Sequence, residues 1–152
     1  MITEMDQLGM DIDWFLTDGK HIGFMASGGG KLPDSVAKSI ENHERLVSYF
    51  RGLPEISDFV VSPELDGVLI KISGTKSNER YLKDYVSITK RGLYSFDKTL
   101  VNNFIDGQYH LVASPIKPLN INELPADILE ILLETQYSDK LNSILKLDCR
   151  NL

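Results

Sequence analysis

The dipeptide Asp18-Gly19, set between two short apolar runs, constrains the fold of this chain more than any other feature. DIDWFLT, residues 11–17, precedes it, and KHIGFMAS, residues 20–27, follows it. Asp-Gly favours the two-residue turn of a β-hairpin, because both residues tolerate a positive φ. The pattern therefore predicts two antiparallel strands near the start of the chain.

Proline and glycine mark the ends of two predicted helices. Pro33 suits the first turn of a helix that Gly52 and Pro54 then terminate. The apolar residues within this segment recur at helical spacing: Val36, Ile40, Val47 and Phe50. Pro125 begins a second amphipathic helix, whose apolar residues are Leu124, Ile128, Leu129, Leu132 and Leu133.

The segments between these helices resemble strands and turns. Predicted strands cover residues 59–61, 68–72, 85–90, 93–96 and 108–113, with turns at Asp66-Gly67 and Arg91-Gly92. Strands joined by hairpins predict an α+β fold with a mainly antiparallel sheet and two main helices packed on one face. With 152 residues, 42% of them hydrophobic, the chain is predicted to form a single domain over residues 1–152.

The net charge of -6 is distributed unevenly along the chain. Residues 1–18 contain five acids and no base, and residues 118–139 contain another five acids and no base. The rest of the chain has 16 bases against 12 acids and is therefore positive by four charges. Nucleic-acid binding needs a basic surface, so this balance argues against it. An acidic surface favours a basic protein partner, or serves solubility alone.

An aromatic pair lies within the first acidic segment. Trp14 and Phe15 are adjacent, so in a strand their side chains point to opposite faces, and exposure of one of them is one of two interpretations. An exposed aromatic beside acids would anchor an interface, whereas the alternative is that it covers the core. The predicted partner-binding residues are Asp11, Asp13, Trp14, Asp18, Asp127, Glu130 and Glu134.

The glycine-rich segment SGGGKLP, residues 27–33, lies between a predicted strand and a predicted helix. It does not have the P-loop spacing, because Met25 and Leu32 stand where that motif needs a glycine and a hydroxyl residue. Two interpretations stay open. One is an anion site formed by Gly28, Gly29, Gly30 and Lys31, in a small ligand-binding protein or enzyme. The other is a structural turn that lets the backbone approach a neighbour closely.

No motif in the sequence indicates catalysis or metal binding. There is no Gly-x-Ser-x-Gly, and the histidines His21, His43 and His110 lack the spacing of metal ligands. Cys149 is the single cysteine, which predicts a reducing compartment and a packing role. The sequence therefore predicts a non-enzymatic cytoplasmic protein with no metal, no cofactor and no membrane segment, and leaves its oligomeric state open.

Short motifs along most of the chain resemble a family of small bacterial proteins. They include Asp13-Trp14-Phe15, Ile22-Gly23-Phe24, Ser27-Gly28-Gly29, Leu32-Pro33 with Val36, and residues 90–97 (KRGLYSFD). Such proteins are similar to the immunity proteins of polymorphic toxin systems, which bind and neutralise a cognate toxin in the cytoplasm. The resemblance implies a protein partner, such as a basic toxin encoded nearby, and assigns no functional residues.

Overall fold

A computed structural model describes the backbone of all 152 residues and every side chain except that of Asn151. It confirms the α+β class, over the residues described. The helices are α1 (Glu4–Gly9), α2 (Asp34–Ala37), α3 (Ile40–Arg51), α4 (Leu65–Ser73), α5 (Glu79–Thr89) and α6 (Ala126–Leu132). The strands are β1 (Asp13–Thr17), β2 (Ile22–Ala26), β3 (Phe59–Val61), β4 (Tyr94–Lys98), β5 (Gln108–Pro115) and β6 (Lys146–Asp148). Short 3₁₀ turns cover Ile121–Glu123, Leu141–Ser143 and Cys149–Asn151.

The strands form a strongly curled sheet in the order β1-β2-β4-β5-β3, and β6 also pairs with β5. The predicted hairpin is confirmed, with Asp13 opposite Ala26 and Thr17 opposite Ile22. Its connection is a four-residue loop over residues 18–21 and not the expected two-residue turn, and Gly19 has a positive φ whereas Asp18 does not. The sheet is mixed, because β2 and β4 run parallel while the other described pairs are antiparallel. The chain between β2 and β4 passes through four helices, and a crossover of this length permits a parallel pair.

Two segments predicted as strands are helices. α4 replaces the predicted strand at residues 68–72, and Gly74 ends it in a left-handed conformation at φ 79°. α5 replaces the strand predicted at residues 85–90, and the Asn78 side chain caps it by accepting from the N–H of Tyr81. Valine and isoleucine in both segments favoured strands locally, but burial of Leu65 with Leu69 follows the i, i+4 spacing of a helix. Over the described residues four helices of seven residues or more pack on the sheet, not two.

The first predicted helix is divided into two. α2 ends at Ala37, and Ser39 begins α3 by accepting from the N–H of Asn42 at 3.1 Å. A serine in this position competes with the helix interior for backbone donors and favours a new N-terminus. The helix predicted after Pro125 is confirmed as α6, and the strands predicted at 59–61 and 108–113 are confirmed as β3 and β5.

Both faces of the sheet are buried, which corrects the prediction of helices on one face and excludes the interpretation in which Trp14 or Phe15 is exposed. One cluster contains Trp14 and packs against the N-terminal and C-terminal segments, including Ile2 and Leu147. The opposite cluster contains Phe15 and packs against α3, α5 and α6. Trp14 is 0% exposed and Phe15 is 1% exposed, and the Trp14 indole N–H donates to the Tyr109 hydroxyl at 3.2 Å. Trp14 is therefore a core residue.

None of the helices in the described part of the chain has the length and apolar character of a membrane-crossing segment.

Candidate partner-binding cleft

An acidic cleft lies between α1, the start of β1 and the N-terminal half of α3. Its volume is about 360 Å³. Four carboxylates line it, those of Asp6, Asp11, Asp13 and Glu44. His43 also lines it, and the rest of its wall is apolar and includes Met10, Ile12, Ile40 and Val47. Among the described residues that line the cleft, none is a lysine or an arginine.

The first wall of the cleft is fixed by the N-terminal cap of α1. The Thr3 hydroxyl accepts from the Asp6 N–H at 3.2 Å, and the Asp6 carboxylate accepts from the Thr3 N–H at 3.2 Å. This reciprocal arrangement is a capping box, which satisfies two backbone donors at the start of a helix. Gln7 then ties α1 to the rest of the protein, donating to the Ile2 carbonyl and accepting from the Leu32 N–H. Asp6 thus contributes charge and also holds α1 in place.

Asp13 lies at the floor of the cleft and is bound to Arg51 of α3. The guanidinium lies 2.8 Å from the Asp13 carboxylate and also contacts Asp84 of α5 at 2.5 Å. Burial raises the pKa of Asp13, although Arg51 acts in the opposite direction. The hydrogen bond from Arg51 lowers the pKa of Asp84. Asp13 is therefore chiefly a structural link between β1, α3 and α5.

Asp11 and Glu44 supply the accessible charge at the rim. Asp11 is exposed, and its Oδ1 accepts from the N–H of Gly28 at 2.9 Å, which orients the carboxylate. Glu44 is exposed on α3, one helical turn after Ile40, whose side chain is 45% exposed. Met10 is 49% exposed beside them. An acidic rim around exposed apolar side chains is suited to a basic segment that carries an apolar residue.

Some of the residues that line the cleft were predicted from the sequence to bind a partner, and others were not. Asp11 and Asp13 were predicted from the sequence, whereas Asp6, Glu44, Met10 and Ile40 were not singled out. Ile40 belonged to the predicted apolar face of the helix, and that face was expected to be buried. Its exposure depends on the break between α2 and α3, which the sequence pattern did not indicate.

The remaining predicted acids lie elsewhere and are engaged within the protein. Asp18 accepts from the N–H groups of Lys20, His21 and Leu141. Burial would raise the pKa of Asp18, but these three donors lower it. On α6, Asp127 forms an ion pair with Arg45 at 2.5 Å, and Glu134 forms one with Lys38. Glu130 is exposed and has no ion pair among the described side chains.

The glycine turn is occupied by the protein's own contacts. Its N–H groups donate inward: Gly28 to Asp11, Gly30 to the Ser27 carbonyl and Lys31 to the Phe104 carbonyl, at 2.8–2.9 Å. An anion site needs such donors to be free, so the geometry favours a structural turn. α2, which follows, has four residues.

A buried lysine explains why the turn is made of glycines. Lys98 is 1% exposed, and its ammonium donates to the carbonyls of Leu100, Asn103 and Asp106. A Cβ at Gly30 would lie 2.5 Å from Lys98 Cε, and Gly28 adopts a left-handed φ of 52°. The turn therefore covers Lys98, which in turn holds the loop after β4.

The cysteine and the histidines do not form a metal site. Among the side chains that the structure describes, no three His, Cys, Asp or Glu residues are grouped to hold a metal ion. His21 and His110 are buried, and the His43 Nε2 lies 2.6 Å from the Asp13 carbonyl oxygen. Burial raises the pKa of the Cys149 thiol to about 11, which disfavours the thiolate form.

Comparisons of the chain with protein-family models, with curated proteins and with solved structures gave no match.

Proposed function

We propose that this chain is a non-enzymatic protein-binding module that binds and neutralises a basic toxin in the bacterial cytoplasm, as immunity proteins do. The observation that carries the proposal is the cleft at α1, β1 and α3. Four carboxylates line it beside exposed apolar side chains, and of these four only Asp13 pairs with an arginine or lysine among the described side chains. The resemblance of the sequence motifs to proteins similar to immunity proteins supports the same role.

The charge of the cleft indicates the chemistry of the partner. Asp13 is shared with Arg51, so the accessible negative charge comes from Asp11 and Glu44 at the rim. Met10 and Ile40 form an apolar surface in the same cleft. A partner surface with lysine or arginine around one apolar side chain fits this arrangement. Toxins that act on nucleic acids have such basic surfaces, because their substrates are polyanions.

Co-expression with the protein encoded beside this chain tests the proposal. We expect a one-to-one complex on size-exclusion chromatography at low salt, and its loss in the double variant Asp11→Lys/Glu44→Lys. These two acids are chosen because neither forms an ion pair with a described side chain. Asp11 also accepts from the Gly28 N–H, so urea unfolding of the variant is compared with that of the wild type before binding is measured. Two reversals at an interface are expected to cost about 2 kcal/mol, roughly thirtyfold in affinity.

A matched control separates a local effect from a change in net charge. Glu55 is exposed in the loop between α3 and β3, and Glu55→Lys together with Asp58→Lys gives the same change of charge away from the cleft. This pair is expected to retain the complex. Equal loss of binding in both double variants would contradict a role for the cleft, and a protein that binds no product of a neighbouring reading frame would contradict the function.

A further inference from the structure

A second site lies at β4 and the loop that follows it, where buried, hydrogen-bonded side chains meet an open cleft. Asp97 of β4 and His110 of β5 are paired in the sheet, beneath α5. The Tyr81 hydroxyl donates to Asp97 Oδ2 at 2.6 Å and lies 3.3 Å from His110 Nε2. The other imidazole nitrogen, Nδ1, lies 2.9 Å from the Thr99 hydroxyl.

One arrangement of protons satisfies all three of these contacts when Asp97 is ionised and His110 is neutral. Tyr81 has one hydroxyl proton, and the short bond to Asp97 uses it. The contact with His110 then requires the imidazole proton to be on Nε2, with the Tyr81 oxygen as acceptor. Nδ1 consequently accepts from Thr99. The donors thus run from Thr99 through His110 and Tyr81 to Asp97, and all of them are neutral.

Asp97 has no cationic partner within the protein. Among the described side chains no lysine or arginine lies within 4 Å of its carboxylate, and its one pairing is with neutral His110 at 3.9 Å. Lys98 is adjacent in sequence, but its ammonium is bound to three carbonyls on the loop. Burial raises the pKa of Asp97, although the hydrogen bond from Tyr81 acts in the opposite direction, so a bound cation would favour the ionised carboxylate.

The exposed part of Asp97 opens into a cleft of about 570 Å³, a volume in the range of small-ligand sites. Its side chain is 16% exposed there. The cleft wall is largely apolar, formed by Leu69, Ile72, Leu100 and Val101, and Tyr81 lies beside the carboxylate. Two lysines also line the cleft, Lys76 and Lys98, and the ammonium of Lys98 donates to three loop carbonyls.

We propose that this cleft binds a primary ammonium group on an apolar chain, with the ammonium on the Asp97 carboxylate and the chain along Leu69, Ile72 and Val101. The cation would supply the charge that Asp97 lacks, and the ring of Tyr81 offers it a second favourable contact. The same chemistry is available in a free alkylamine and in a lysine side chain of another protein. This cleft shares no lining residue with the acidic cleft, and the proposal does not depend on the proposed function.

Isothermal titration calorimetry with n-hexylamine tests the site, using 1-hexanol and hexanoate as controls of the same chain length. Saturable binding of hexylamine at millimolar concentration, with little or no binding of the two controls, is expected. Asp97→Asn keeps the shape and removes the charge, and should weaken hexylamine binding by tenfold or about that, as loss of a charge-assisted hydrogen bond does. Equal binding of hexanol, or unchanged affinity in Asp97→Asn, would overturn the proposal.

A second variant keeps the test decisive if Asp97→Asn does not fold. Ile72 lines the cleft and is 39% exposed, so the larger side chain of Ile72→Trp should fill the cleft and abolish binding. The substitution leaves the hydrogen bonds among Asp97, Tyr81 and His110 intact. Ile116→Trp, at a 62% exposed position outside the cleft, should leave binding unchanged. N-acetyl-lysine methylamide distinguishes the two sources: tighter binding than hexylamine assigns the ammonium to a protein side chain, and weaker binding assigns it to a free amine. Failure of both probes would refute the site.

Discussion

Replacing Gly30 with alanine separates a structural glycine turn from an anion site. The new Cβ would lie 2.5 Å from Lys98 Cε and 3.0 Å from the Ser27 carbonyl oxygen. The Lys98 side chain is flexible, but its movement is restrained because its ammonium is bound to three loop carbonyls. Relief of the clash is expected to cost one or two of these bonds, at about 1.5–3 kcal/mol each for a charged donor. We therefore expect Gly30→Ala to lower the free energy of unfolding by about 2–4 kcal/mol.

Urea unfolding monitored by the fluorescence of Trp14 measures this change, since the single tryptophan is fully buried. Gly67→Ala is the matched control: no atom lies within 4 Å of its Cβ, and inside α4 it should stabilise by about 0.5–1 kcal/mol. An anion site predicts instead that phosphate stabilises the wild type and that Gly30→Ala abolishes this effect. The structural turn would be refuted if Gly30→Ala were as stable as the wild type and if phosphate stabilised the wild type but not the variant.

Other predictions concern titratable groups. Burial lowers the pKa of His110 to about 4, so the unfolded chain binds a proton first as pH falls below about 6.5, and stability declines towards pH 4. The stability difference between wild type and His110→Asn, measured by urea unfolding, should fall by about 3 kcal/mol from pH 7 to pH 4; a constant difference would exclude a neutral buried imidazole. Arg51→Met leaves the half-buried Asp13 unpaired, so it should lower the free energy of unfolding, measured in urea, by about 1–2 kcal/mol. An unchanged free energy of unfolding would mean that the ion pair does not contribute to stability. Cys149 is 9% exposed, so its reaction with a thiol reagent at pH 8 should be slow in the native protein and fast in urea; equal rates would show that the C-terminal segment opens readily.

Local patterns predicted the elements that local interactions determine. Asp18-Gly19 gave the hairpin, and Pro125 marked the start of α6, because turn and cap chemistry depends on neighbours in sequence. α4 and α5 were mistaken for strands because their valine and isoleucine residues have high strand propensity. Their helical form is decided by packing on β4 and β5, which are distant in sequence.

The candidate site was predicted only in part for the same reason. Asp11 and Asp13 were found because an acidic segment is visible in sequence. Glu44 and Ile40 join them through the placement of α3 against β1, and no spacing within α3 indicates that contact. The acids of α6 appeared to form a second surface, but Asp127 and Glu134 pair with Arg45 and Lys38, which precede them by more than 80 residues.

Hydrogen exchange in the complex with the protein encoded beside this chain tests the central claim most directly. Binding at the acidic cleft predicts increased protection of backbone amides in residues 6–13 and 40–47, with that protection reduced at high salt as exposed charges are screened. Amides of α6 around Glu130 should exchange as in the free protein. Protection centred on α6, with the cleft segments unchanged, would contradict the account.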